Sequence, residues 1–202
     1  MEADDAGPGI DPATLEPPRG PAWLVDAERI DAALYAAVAR TPSPSLDTAM
    51  ARLSNAANFS GIWLVSAALL AAGGGKRGKQ AAKLGLASIA VASTVVNLGM
   101  KPLGRRRRPA RAASEVPIAR HVKMPASTSF PSGHSASAFA FVTAVGHVHP
   151  QAAVPLRALA GLVAYSRIHT GVHYPGDVVA GGLAGTALAQ LTSHFLADRF
   201  AA

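Results

Sequence analysis

The chain has 202 residues, of which 50% are hydrophobic and only 15% charged, against roughly 25% charged in an average soluble domain; this length and composition suggest one domain of the membrane class. With no cysteine, disulfides and thiolate metal sites are excluded, and no fixed period suggests a solenoid. The net charge of +7 is uneven, with nine of the twelve acidic residues before Phe59 and the basic residues concentrated between Lys76 and Lys123; without interleaved aromatics this argues against nucleic acid and for an anionic membrane surface or a phosphate-bearing substrate.

In chain order, residues 1–21 combine Pro, Gly and acidic residues, which predicts a disordered tail, followed by a membrane-embedded domain over residues 22–202. The tail has neither the positive start nor the apolar run of a secretory signal. Asp26 to Arg40 and Ser45 to Ala57 carry apolar residues at helical spacing (Ile30, Ala33, Leu34, Ala37 and Val38; then Leu46, Met50 and Leu53) on either side of Thr41-Pro42-Ser43-Pro44. Two amphipathic helices are expected, packed on a core or lying on a membrane. Five apolar runs come next: Phe59 to Gly75, Leu84 to Met100, Gly133 to Val148, Val154 to Ser166 (interrupted by Arg157) and Val178 to Leu196. The first two are each about as long as the shortest spans that cross a bilayer core, roughly 17 residues, and the fourth is the weakest of the five. The expected fold is all-α: an integral-membrane bundle of about five transmembrane helices plus the two amphipathic ones. Gly181 and Gly185 form a small-residue face that suits close helix packing, either within the chain or in a homo-oligomer.

Three polar clusters punctuate the runs. The first, Lys101 to Pro109, reads either as the cationic flank of a membrane helix or as a phosphate grip, with Lys101 as a point charge and Arg108 as a planar fork. The second, Ser129-Phe130-Pro131-Ser132-Gly133-His134-Ser135, is a capped helix start. Ser132 can accept from first-turn amides, Gly133 keeps side-chain bulk away from the backbone, and His134 lies in the first turn, so the free amides can attract an anion. The third runs from Ser166 to Asp177. Its His173 and Asp177 suit a pair in which a carboxylate fixes the imidazole tautomer and frees the other ring nitrogen for attack or proton exchange. Arg167 can bind the same anion. His169, His173 and Asp177 also have the four-residue spacing of a metal set, but Gly171, Pro175 and Gly176 would break the helix such a set needs.

Taken together, Lys101 with six residues to Arg108-Pro109, then Pro131-Ser132-Gly133-His134, then Ser166-Arg167 with five residues to His173 and three more to Asp177, resemble the type-2 phosphatidic acid phosphatase superfamily. The resemblance extends over roughly Asp26 to Leu196. It implies a helical membrane enzyme that hydrolyses a lipid phosphate or pyrophosphate, phosphatidate-like or polyprenyl, without a metal or other cofactor. By the same resemblance His173 attacks phosphorus to give a phosphohistidine, and Asp177 orients it. His134 protonates the leaving oxygen and then activates water. Lys101, Arg108, Arg167, Ser132 and Gly133 bind the phosphoryl oxygens. The implied partners are a lipid phosphate and membrane lipids.

Many membrane members of that family have a further span ahead of the amphipathic helices, where this chain has a polar tail. The family's usual outward-facing site, in a multi-pass protein of the cell membrane, would put the expected Lys76 to Lys83 loop in the cytoplasm. Only Lys76, Arg77, Lys79, Lys83, Arg157 and Arg199 would then be the basic residues inside, against the usual bias. Two other functions compete: a vanadate-dependent haloperoxidase-like enzyme, whose relatives share the three motifs but are larger and soluble, and a lipid-phosphate binding protein without turnover. The second would have no use for the nucleophile and acid that His173 and His134 supply.

Overall fold

A computed structural model describes residues 21–200; the expected tail, apart from Pro21, lies outside the described residues. Among the described residues eight α-helices follow in order: α1 (Ala22–Arg40), α2 (Pro44–Ala56), α3 (Gly61–Gly73), α4 (Gly75–Thr94), α5 (Lys101–Gly104), α6 (Gly133–Val148), α7 (Pro150–His169) and α8 (Pro175–Leu196). A π-helical segment over Val95–Met100 joins α4 to α5, so Gly75–Gly104 is one rod of 30 residues. No strand occurs among the described residues, in keeping with the all-α expectation.

The central helix is α6, flanked by α4, α7 and α8. Its side chains are small, and Ala136, Ala138, Ala140 and Ala144 are fully buried beside Phe141, Val142 and Val145. Close approach follows from that choice. A Cβ on Gly181 would stand 2.3 Å from the Ser132 carbonyl oxygen, and one on Gly185 would stand 2.1 Å from that of Ala136. The Gly181 and Gly185 face is therefore spent within the chain, seating α8 against α6.

Trp63, Leu84 and Phe141 are large apolar side chains buried in this core, whereas Leu64, Val65 and Leu69 of α3, Val91 of α4, Leu162 of α7, and Leu183, Leu191 and Phe195 of α8 point outward and are exposed. α1 obeys the same inversion. Its expected apolar stripe, with Ile30 and Leu34, faces out, and the buried positions are Asp31, Tyr35 and Ala39. Hydrophobic periodicity marks a face that avoids water, and here that face is turned away from the protein.

One expectation needs correction, and helix length does not by itself give five crossings. The basic residues Lys76 to Lys83 do not form a loop; they occupy the first turns of α4, because Gly74 and Gly75 (φ 58°) reverse the chain within two residues. Gly75–Gly104 is long and apolar enough by itself to cross a bilayer, and α2 with α3 qualifies only as a pair bent by 68°. α3, at 13 residues, extends about 20 Å against the roughly 30 Å of a hydrocarbon core. α6, at 16 residues, is also short, and Arg157 and Arg167 dilute the apolar character of α7.

Candidate active site

The N-termini of α6 and α8, the C-terminus of α7 and the end of the α4–α5 rod meet at one end of the bundle. Each predicted site residue is delivered there by a local feature of sequence. α6 starts at Gly133 because Ser132 caps it, its Oγ accepting from the Ser135 amide and the Ser135 hydroxyl (3.0 Å to the latter). α8 starts at Pro175, which has no amide proton to lose there. Asp177, in the first turn, turns back to accept from the Tyr174 amide at 2.9 Å. The Asp177 carbonyl also accepts from the Ser132 amide at 2.9 Å, so the two helix starts fix one another.

His173 lies in the short loop between α7 and α8 and is 1% exposed. Its Nε2 is 3.1 Å from Arg108 Nη1. A guanidinium can only donate, so Nε2 accepts and the proton sits on Nδ1. Nδ1 faces Asp177 Oδ2 at 3.5 Å and Ser129 Oγ at 3.4 Å, while the Ser129 hydroxyl itself donates to Asp177 Oδ2. Burial pushes the His173 pKa down to about 4, reinforced by Arg108 and Arg167 and opposed by Asp177. This is a neutral imidazole with its lone pair directed at a cation.

That cation is positioned by the loop after α5. Arg108 donates to the carbonyls of Ser127 (2.8 Å), Val172 (2.8 Å) and Thr128 (3.2 Å), and to the Ser127 hydroxyl (3.2 Å). Lys101 Nζ reaches the same hydroxyl at 3.1 Å. A Cβ on Gly133 would lie 3.7 Å from Lys101 Nζ, so glycine leaves open the space between the helix start and the ammonium group. Arg167, 1% exposed, donates from Nη1 to the Ser54 carbonyl (3.2 Å) and hydroxyl, and its Nε has no partner among the described residues. His134 Nε2 donates to Asn58 Oδ1 at 3.0 Å.

The expected residues thus converge: Lys101, Arg108, Ser132, Gly133, His134, Arg167, His173 and Asp177 all stand at this end of the bundle. The metal set does not assemble, because His169 Nε2 turns to Asp47 Oδ1 at 3.0 Å, away from His173 and Asp177. Six supporting residues were given no role from the sequence: Ser54 behind Arg167, Asn58 behind His134, Ser127 and Ser129 beside Arg108 and Asp177, and the pair Arg106 and Asp31. Arg106 Nη1 bonds Asp177 Oδ1 at 2.9 Å and Asp31 Oδ2 at 2.7 Å. Burial opposes the charge on Arg106, but the two carboxylates outweigh it and hold its pKa above the ordinary value. The one available signal was an acidic residue, Asp31, next to the apolar stripe of α1.

The arrangement suits nucleophilic attack on a tetrahedral anion. Lys101, Arg106, Arg108 and Arg167 are set against only two carboxylates, Asp31 and Asp177, leaving positive charge for a bound ligand.

Comparison with known proteins agrees with that chemistry. The family description "PAP2 superfamily" matches residues 82–201. Lipid A 1-phosphatases from Rhizobium johnstonii and Rhizobium etli are each 40% identical over 65 residues, 32% of this chain. The match spans only 27% and 28% of the length of those relatives. Among solved structures, Aquifex aeolicus LpxE superposes with a TM-score of 0.67 at 24% identity, covering 82% of this chain and 95% of that one. A transmembrane PAP2-type phosphatidylglycerolphosphate phosphatase from Bacillus subtilis gives 0.63 at 22% identity, covering 84% and 86%.

Proposed function

The chain belongs to the PAP2 superfamily, and from that premise we propose that it is a multi-pass membrane phosphatase that hydrolyses a lipid phosphate or lipid pyrophosphate through a phosphohistidine. The observation that carries this reading is the His173 imidazole, neutral and unprotonated at Nε2, directed at Arg108 and backed at Nδ1 by Asp177.

In the first step Nε2 of His173 attacks phosphorus and the bond from phosphorus to the lipid oxygen breaks, with His134 giving that oxygen its proton. In the second step water attacks the phosphohistidine, His134 takes the water's proton, and the nitrogen–phosphorus bond breaks to release phosphate. Lys101, Arg108, Arg167, the Ser132 hydroxyl and the Gly133 amide hold the oxygens on which negative charge redistributes. Asp177 steadies the imidazolium character that develops when His173 forms its bond to phosphorus.

Three features favour a lipid substrate. The bundle exposes many large apolar side chains and packs α6 and α8 through small residues, as expected of helices in hydrocarbon. An apolar groove of about 850 Å³, lined by Leu24, Ile30, Leu34, Phe130 and Val179, reaches Arg106 and Asp31 at the edge of the site. The curated relatives are named as phosphatases of lipid A. Phosphatidate-like and polyprenyl substrates both fit a cationic pocket beside an apolar groove.

The test is phosphate release in detergent, with a chelator present, from phosphatidate and from polyprenyl mono- and pyrophosphates. Release that His173→Ala abolishes is the expected result. Full activity in that variant overturns the mechanism, and loss of wild-type activity on chelation favours a metal. For an outward-facing site and five crossings, a reporter fused to the C-terminus should be active in the cytoplasm; external activity contradicts that topology.

A further inference from the structure

Asp177 is the carboxylate on which the proposed nucleophile depends, and its two oxygens are held differently. Oδ2 accepts from the Ser129 hydroxyl and the Tyr174 amide and faces His173. Oδ1 is bonded by Arg106 alone among the side chains of the described residues, at 2.9 Å. The same Arg106 nitrogen reaches Asp31 Oδ2 at 2.7 Å, and Asp31 Oδ1 accepts from the amide of Gly176 at 2.7 Å. Gly176 immediately precedes Asp177, so the contacts close a ring from α1 through the arginine to the first turn of α8. The Arg106 guanidinium also lies over the Tyr174 ring, 4.2 Å from its centroid. Asp177 is fully buried.

We infer that Asp31 and Arg106 are a positioning pair for the reaction, with Arg106 holding Asp177 turned so that Oδ2 faces His173, and Asp31 fixing Arg106. The inference rests on the reading of His173 as nucleophile and Asp177 as its orienting carboxylate. It adds a contribution from α1, which lies outside the matched residues 82–201.

Without Arg106 a fully buried carboxylate would be left with neutral donors and an imidazole, and burial disfavours its charged form. It would also be free to turn about its last bond, since one oxygen would have lost its side-chain partner. Without the Asp31 charge, Arg106 would have Asp177 as its only counter-ion and would compete with His173 for it. Asp31 shares that guanidinium and, through Gly176, fixes the helix start carrying Asp177. Arg106 and Asp31 stand where the apolar groove reaches the edge of the site, and neither is among the groups assigned to the phosphoryl oxygens, so the pair should govern turnover more than phosphate binding.

Steady-state kinetics with a phosphatidate or polyprenyl phosphate in detergent separates this role from simple docking of α1. Arg106→Gln is expected to lower kcat by about 10- to 100-fold with KM within about twofold, and Arg106→Lys should recover part of the loss. Asp31→Asn retains an acceptor for the Gly176 amide and should lower kcat by about 3- to 10-fold. The double variant should be no slower than Arg106→Gln alone, because both changes break one device. A docking role alone would reduce thermal stability and leave kcat per folded molecule unchanged, and multiplicative losses would likewise overturn the pair. Wild-type turnover that His173→Ala abolishes, together with silent Asp31 and Arg106 variants, overturns the pair and leaves the parent reading standing. Wild-type inactivity, or turnover by His173→Ala, overturns both.

Discussion

Two buried histidine–aspartate pairs lie close together in this molecule, and only one of them is built to react. His169 and His173 are four residues apart, both 1% exposed, and each faces an aspartate. His169 Nε2 bonds Asp47 Oδ1, which also accepts from Arg120 Nε at 2.8 Å. Arg120 then spends its remaining donors on the carbonyls of Val38, Ala39 and Thr41 and on the Ser43 hydroxyl. One carboxylate meets one guanidinium, and every donor of that guanidinium ends on protein. Around Asp177 the ledger does not close, because Lys101, Arg108 and Arg167 remain after Arg106 is shared with Asp31. Charge surplus, rather than the histidine–aspartate pairing itself, distinguishes a site from a staple.

The largest expected effect that tests this contrast is on catalysis. His173→Ala should lower kcat by about 10⁴-fold or more while leaving the folded protein intact, since removing one member of a nucleophile constellation disables the whole. His169→Ala should keep turnover within a few fold of wild type. Comparable losses in the two variants, measured as phosphate release per folded molecule, would erase the distinction. His134→Ala comes next, at roughly 10²- to 10⁴-fold, the range for a lost general acid–base group.

Stability should divide the pairs in the opposite sense. Arg120→Met leaves Asp47 buried without its cation and the α1–α2 connection without its tether, at a cost of about 3–5 kcal/mol. Thermal unfolding in detergent should shift down sharply, while kcat of the surviving folded enzyme stays near wild type. A variant of normal stability and poor turnover would place Arg120 with the catalytic group instead.

The same contrast explains what could be read in the sequence. Lys101, Arg108, Ser132, Gly133, His134, Arg167, His173 and Asp177 were legible because motif spacing places each near a helix end, where a few residues of local sequence fix its direction. Asp31, Ser54 and Asn58 were not legible. They meet Arg106, Arg167 and His134 across 75, 113 and 76 positions of chain, and their residue types are ordinary for helix surfaces and ends. The helices themselves were found from periodicity, but their environment was not. Periodicity identified the Ile30 and Leu34 stripe of α1 without distinguishing a protein core from a lipid phase. It also read Lys76 to Lys83 as a loop, because charge marks exposure and a helix can carry exposed charge.

The smallest effect concerns pH and is read at His173. With a folded pKa of about 4 against an ordinary value of 6.5, the imidazole binds fewer protons when folded than when unfolded between those limits. Its neutral burial costs nothing extra above about pH 6.5, and stability falls as pH drops from there towards 4. Thermal unfolding in detergent should therefore decline over that window in wild type, and His173→Gln, which cannot take up the proton, should flatten the decline. The groups facing the ring bear on the outcome: Asp177 favours the charged form, while Arg108 and Arg167 oppose it. An unfolding midpoint with the same pH dependence in both proteins would mean that His173 is not held neutral by burial, and would remove the basis for treating Nε2 as an available lone pair at neutral pH.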